Sequence, residues 1–243
     1  MMGLTPLVPE LVTVHVWGIP AARVPQAVTA MALDRRPVAQ APGHTFHKLL
    51  GTGNARTFTI RDSDPRHWAL LVCWSDARAA DLFETSAVVR RWDGWAASGG
   101  ERMRVVMRPL SSTGLWDRRQ PFGQPSPTPA HTGAVAALTR ARLRVRTTAT
   151  FWRAVPEVSA RLHQSPGLVT CLGVGEAPIG RQGTFSVWES AAALAQFAYG
   201  SAEHRKVIAQ TAQVGWYSEE LFARFAVVEA SGRLGGRDIH IVT

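Results

Sequence analysis

Two halves of the sequence spell the same residues in the same order, and a proline-rich break separates them. Each half also alternates strand-like and helix-like periodicity in the same succession. Together these observations predict an α+β fold: a tandem duplicated ferredoxin-like unit, βαββαβ twice, of the dimeric α/β-barrel type with facing sheets. The repeat is plainest around two tryptophans. HWALLVCWSDARAADLFETSAVVRRW surrounds Trp74, and QGTFSVWESAAALAQFAYGSAEHRK surrounds Trp188, 114 positions further on. Ala77 and Ala191, and Phe83 and Phe197, keep that spacing, which sets Arg90 against His204. Val24-Pro25-Gln26 matches Val155-Pro156-Glu157, Pro42-Gly43 with Gly51 matches Pro166-Gly167 with Gly175, and RMRVVMRPLSSTG resembles LFARFAVVEASG. The changing offsets mark insertions, the largest being NARTFTIRDSDP in the first half, read as a hairpin or lid loop.

The elements follow in order. Residues 11–17 (LVTVHVW) read as a strand, 22–33 as a helix with Pro25 in its first turn, and 44–50 and 68–74 as strands. A helix over 76–91 and a strand over 103–108 complete the first half. The second half repeats the pattern: a strand at 141–147, a helix at 154–163, strands at 168–174 and 184–188, a helix over 190–213 and a strand at 221–228. The units are placed at 10–118 and 134–232. Residues 119–133, with four prolines, are read as an extended linker without packing of its own, and 233–243 as a tail. Two such units set sheet to sheet bury the faces that their helices leave open.

Composition bounds the function. No apolar run approaches the ~20 residues of a membrane span. The N-terminal MMGLTPLVPELVTV lacks a basic region and a cleavage site, so no secretory signal is expected. Cys73 and Cys171 sit in separate apolar runs without CxxC spacing, which suits reduced thiols in a cytoplasmic protein better than a disulfide or zinc framework. The formal charge of +9 comes from scattered arginines. It leaves open a solvated surface, an anionic cofactor or peripheral contact with an anionic membrane. No helix-turn-helix, zinc finger or aromatic RNP strand supports nucleic-acid binding.

His204 stands out because the first half has Arg90 in its place. At 100° per residue, Phe197, His204, Ile208 and Thr211 share a stripe, with Leu194 and Ser201 a turn away, so the imidazole is expected to face the core. A core histidine bonded to a backbone carbonyl is one reading, and a metal or haem ligand is the other. With no His, Cys or carboxylate at i+3 or i+4, a zinc pair is absent, whereas one imidazole suffices for haem.

GEAPIGRQGTFSVWESAAALAQFAYGSAEHRKVI and GWYSEELFARFAV closely resemble the C-terminal half of the spheroidene monooxygenase family. AVAALTRARLRVRTTATFWRAVPEVSA and FHKLLGTG fit it too, so the resemblance covers most of the chain. It implies a haem-dependent oxygenase in the duplicated ferredoxin-like fold shared with chlorite dismutases, dye-decolourising peroxidases and aldoxime dehydratases. In those relatives one histidine on a C-terminal-half helix binds the iron, and His204 suits that role here, with haem b held without covalent attachment because no CxxCH is present.

Arg140, Arg142, Arg144 and Arg146 alternate along one strand and so share a face, either as a solvated edge or as partners of haem propionates. Arg224, on the strand expected beside it, is a candidate catalytic group that would pair with a propionate or with a distal oxygen ligand, and Gln182 is a candidate distal hydrogen-bond donor. Glu219 and Glu220 either orient the His204 imidazole or lie in an exposed turn. The leading function is a monooxygenase acting on an apolar or amphiphilic small molecule, supplied by a ferredoxin-type electron donor. A haem enzyme of another class, such as an aldoxime-type dehydratase, and a non-catalytic haem-binding protein are the alternatives. Homo-oligomerisation is left open.

Overall fold

A computed structural model describes residues 8–56, 62–125, 131–144, 161–177, 181–200 and 217–243. The first half runs β1 (Leu11–Gly18), a 3₁₀ turn (Ala21–Arg23), α1 (Val24–Leu33), α2 (Arg35–Ala39), β2 (His44–Gly53), β3 (Ser63–Trp74), α3 (Ala77–Phe83), α4 (Ala87–Ala96) and β4 (Arg102–Gly114). The second runs β5 (Val135–Leu143), a helical end at 161–164, β6 (Leu168–Gly175), β7 (Arg181–Trp188), α5 (Ala191–Gly200), β8 (Tyr217–Leu234) and β9 (Arg237–Val242).

The strands lie in the order β4-β1-β3-β2-β6-β7-β5-β8-β9, with β4 also paired to β8. Each half therefore has the same internal order. β2 meets β6 through Gly51–Gly53, and β4 meets β8 along Met103–Gly114, all antiparallel. The sheets of the two halves thus join at both seams. Instead of two separate stacked layers they form opposite walls of one eight-stranded antiparallel barrel. Closure pairs the edges that stacked sheets would leave open, and β9 hangs outside the ring on β8.

β1 shows why the strands are so apolar. Val12, Val14 and Val16 point into the barrel with Met103, Val105, Leu71 and, from the second half, Ala136, Leu138, Phe185 and Phe225. Leu11 and Trp17 point outward beneath the helices, with Leu70, Val72, Trp74, Phe83 and Trp92. With both faces covered, the run is nearly continuously hydrophobic. The helices start where side chains take up free amides. Asp76 accepts from the Ala79 amide and Ser190, its counterpart 114 positions on, accepts from the Ala193 amide. Gly43 and Gly167 match likewise. Both have positive φ, 71° and 76°, and a Cβ there would meet the Ala79 and Ala193 methyls at 2.4 and 2.6 Å.

Several expectations shift. The helix expected over 76–91 is two helices, because Ser86 is extended and its hydroxyl accepts from the Val89 amide, restarting the helix. β5 lies six residues earlier than expected, since AVAALTR alternates as well as the arginine stretch does and pairing of Val135 with Trp188 fixes the register. Residues 237–242 of the expected tail form β9. The linker is not free of packing: Phe122 is wholly buried, edge-on to Phe225 at 4.9 Å, and Trp116 just before it is buried in the same core.

Under the first-half helices lies one buried histidine. His15 stacks on Trp17 with ring centroids 5.1 Å apart, and its Nε2 is 3.3 Å from Glu84. Burial, then Arg104 and Arg102, push its pKa down to about 3, so it is neutral while the two arginines pair with Glu84. His47 is similarly lowered, to about 4, chiefly by burial. In each case the unfolded chain takes a proton near pH 6.5 that the native state refuses. Stability from these groups is therefore intact above 6.5 and lost as pH falls below it. His67 works the other way: its bond to Asp64 raises its pKa, so its contribution is present below 6.5 and lost as pH rises through its folded value. Chemical denaturation should show a stability loss between pH 6.5 and 5.5 of about 1 kcal/mol for His15 alone. His15→Gln should flatten that slope. An unchanged slope would show that the imidazole is not held neutral.

Candidate functional site

The two halves present the same sheet face to their helices, rung for rung, and fill it differently. In the first half Leu11 pairs with Trp74, Thr13 with Val72, His15 with Leu70 and Trp17 with Trp68. In the second, Val135 pairs with Trp188, Ala137 with Ser186, Thr139 with Thr184 and Ala141 with Gln182. The neighbouring strands agree: Leu49 lies beside Leu70, and Gly173 beside Thr184. Beyond the first rung, then, Trp17 gives way to Ala141, Leu70 to Thr184, Val72 to Ser186 and Leu49 to Gly173. Both faces begin on a wholly buried tryptophan, Trp74 or Trp188. Only the second continues as a floor of small side chains.

The floor has an apolar end and a polar end. Trp188 stacks on Phe197 of α5 at 5.3 Å, with Val135, Leu162 and Leu194 buried beside them. Toward the polar end, the Thr139 and Thr184 hydroxyls bond across the strands at 2.6 Å. Gln182 Oε1 is buried and has no hydrogen-bond partner among the described residues. Leaving a buried acceptor unsatisfied costs about 1–3 kcal/mol. Arg224, whose backbone pairs with Ala137, projects from the same face, donates to the Tyr199 hydroxyl at 2.8 Å and lies over its ring. Burial pushes the Cys171 thiol up to about 12, so it is protonated and a poor ligand in this state.

A second polar cluster closes one mouth of the barrel. Arg140, 3% exposed, points inward and pairs with Glu176 and Glu219. Glu176 also accepts from Trp116 Nε1 at 2.6 Å and from Lys48 at 3.3 Å, and Lys48 pairs with Asp117. The successive amides of Asp117 and Arg118, at φ of 51° and 60°, both donate to the Glu219 carboxylate. Both amides of this left-handed two-residue turn are taken up by the chain's own carboxylate. Burial opposes ionisation of Glu219, but the Arg118 amide, Arg140 and the Asp117 amide outweigh it and hold its pKa below the usual range.

The structure therefore separates the residues selected from sequence. Gln182 and Arg224 share the helix-side floor. Arg140 lies on the opposite face, inside the barrel, with its guanidinium committed to carboxylates, so the expected propionate role does not fit it. Arg142 is exposed near the end of β5, and exposed Arg144 donates to the Tyr217 carbonyl. Glu219 belongs to the mouth cluster, not to an imidazole, while Glu220 is exposed at the floor's end opposite Ala141. His204 and Arg146 lie outside the described residues. Thr139, Thr184 and Tyr199 are additions from the structure. Among the described residues no group of three metal-ligating side chains gathers. Their histidines on β1, β2 and β3 lie in the first half, and His131 and His163 contact backbone carbonyls.

The strands close into an antiparallel α+β barrel whose two helix-side faces carry side chains of different size. Over 93% of this chain and 87% of the other, it resembles the crystal structure of an aldoxime dehydratase, with a TM-score of 0.60 at 13% identity, a likeness of fold. No family model matches. The spheroidene monooxygenase of Rhodobacter capsulatus is 34% identical over 221 residues, 88% of each chain. That of Rubrivivax gelatinosus is 36% identical over 203 residues, 83% of this chain and 75% of the relative. The chain belongs to the spheroidene monooxygenase family. It is accordingly an enzyme of the oxidoreductase class, an oxygenase. No helix among the described residues is long and apolar enough to cross a membrane.

Proposed function

We propose that the chain is a haem-dependent monooxygenase that inserts oxygen into an apolar or amphiphilic small molecule, a linear carotenoid such as its relatives' name specifies. We further read the chain as a tandem duplicated ferredoxin-like unit in which the second copy kept the frame and gave up its bulk. The observation that carries the reading is that loss of bulk: Trp17 and Leu70 become Ala141 and Thr184 on otherwise matching rungs. A broad planar group fits such a floor, and the orphaned Gln182 oxygen at its polar end fits a ligand or bound water.

When bound, haem b supplies the activation of O₂, with two electrons from a ferredoxin-type donor in the cytoplasm. His204 would hold the haem iron through its neutral imidazole. Arg224, steadied by Tyr199, is suited to an anionic group at the floor's edge. The Gln182 amide and the Thr139–Thr184 pair supply hydrogen bonds on the polar side, while Trp188 and Phe197 keep water from the apolar end.

Haemin added to the purified chain and followed in the Soret band should saturate at one equivalent. His204→Ala should lose the haem, or keep it with a changed spectrum that added imidazole restores, whereas His163→Ala should leave the spectrum as it was. Saturation at two equivalents, or an unaltered Soret band in His204→Ala, would remove the assignment.

A further inference from the structure

From Leu11 to Arg61 the sequence carries six cations, Arg23, Arg35, Arg36, Lys48, Arg56 and Arg61, and one acid, Asp34. That acid is hidden: Asp34 is 1% exposed and accepts from Arg91 and from Trp92 Nε1. The helices made from this stretch, α1 and α2, therefore show no carboxylate at their surface. Along α1 (VPQAVTAMAL) there is no charged residue at all. Its buried side is Ala27 and Ala30, and its outer side presents Val28 at 57% and Leu33 at 64% exposure, with Pro25, Thr29 and Ala32 between them. Arg23 stands exposed at one end, and Arg35 and Arg36 at the other.

Soluble surfaces ordinarily intersperse both signs of charge. An exposed, uncharged helix face edged by Val28 and Leu33 and bracketed by arginines, with no acid, has instead the chemistry of a helix lying in a lipid interface, where aliphatic side chains enter the acyl boundary and cations meet headgroup phosphates. From this charge complementarity we propose that the α1–α2 face docks the protein on a bilayer surface bearing anionic headgroups. A second copy is the poorer occupant. A two-fold contact would set Arg23, Arg35 and Arg36 against the same residues of the other copy, with no acid to pair them. A protein partner would ordinarily find aromatic anchors, and this face exposes none among α1 and α2.

The test uses the full chain with vesicles of phosphatidylcholine, alone or with 30% phosphatidylglycerol as a chosen composition, in flotation at low and high salt, together with sedimentation velocity. Binding should favour the anionic vesicles by at least about tenfold and weaken in high salt. Leu33→Gln with Val28→Gln, and separately Arg23→Gln with Arg35→Gln and Arg36→Gln, should each lower that binding about tenfold. Far-UV circular dichroism should remain that of the parent chain. The single change Leu33→Gln, at the most exposed of these sites, serves if a multiple variant fails to fold and should lower binding about threefold. No preference for anionic vesicles, or binding that none of the variants weakens, would overturn the proposal. So would a dimer that Leu33→Gln dissociates without any vesicle binding, which would assign the face to a second copy.

Discussion

A chain carrying Ala141→Trp and Thr184→Leu is expected to fold and to take up no haem. These are the side chains that the first half places on the matching rungs, as Trp17 and Leu70, and there they pack in a wholly buried layer beneath α3 and α4. The same backbone frame in the second half should accept them with a strain of about 1–3 kcal/mol, the usual cost of added bulk. They would occupy the space the small side chains leave. Haem affinity should fall at least about 100-fold, or about 2.7 kcal/mol, because a planar group cannot share a floor with an indole standing on it. A Soret titration with far-UV circular dichroism distinguishes loss of the site from loss of the fold. The reciprocal change, Trp17→Ala with Leu70→Thr, should destabilise the chain by roughly 3–5 kcal/mol or more by opening a cavity in a filled core. Parental haem uptake by the refilled chain would move the cofactor off this floor.

Most of the frame was legible in the sequence because the repeat preserves the positions that close packing dictates. Trp74 and Trp188, Gly43 and Gly167, and Asp76 and Ser190 recur because each fixes a turn, a cap or a close approach that both halves share. Closure into one barrel was less legible. It depends on pairings such as Gly51 with Gly175 and Arg104 with Ser231, between residues more than a hundred positions apart. The contrast between the two floors was written in the sequence but hidden by one register. Placing β5 at 141–147 rather than 135–143 leaves Ala141 unmatched to Trp17 and leaves open which face the arginines share. Nothing local distinguishes AVAALTR from ARLRVRT as the paired stretch, since both alternate. What decides is that the barrel interior supplies Glu176 and Glu219 for Arg140, from 36 and 79 positions away. Phe122 was overlooked for a related reason: a lone aromatic among prolines reads as linker until Phe225 is known to lie beside it.

Arg140→Met is expected to be the most destabilising single change at the barrel mouth, by about 3–5 kcal/mol, the usual consequence of removing one partner from a buried charged cluster. The guanidinium is 3% exposed, while Glu176 and Glu219 are 10% and 13% exposed, so water cannot replace it freely. Its fork serves both carboxylates, Nε and Nη2 toward Glu176 and Nη1 toward Glu219, and its plane lies over Trp116 at 5.7 Å. Without it the Glu219 carboxylate would keep only the Asp117 and Arg118 amides, and the two left-handed residues would lose part of what holds them in that conformation. Arg140→Lys should recover only part of the loss, since one ammonium cannot span two carboxylates as the fork does. Neutralising the partners as well, in Arg140→Met with Glu176→Gln and Glu219→Gln, should regain more than Lys does, because no buried charge is then left unpaired. In a chain of this size 3–5 kcal/mol corresponds to a fall in Tm of roughly 10 °C. The wild-type mouth should also weaken in acid. The pKa values of Glu219 and Asp117 are depressed, so their contribution is full above about pH 4.5 and is lost as pH falls through the folded values. Urea unfolding of the three variants at pH 7 settles the matter. A loss below about 1 kcal/mol for Arg140→Met would mean that the cluster behaves as a solvated surface network and does not seal the barrel.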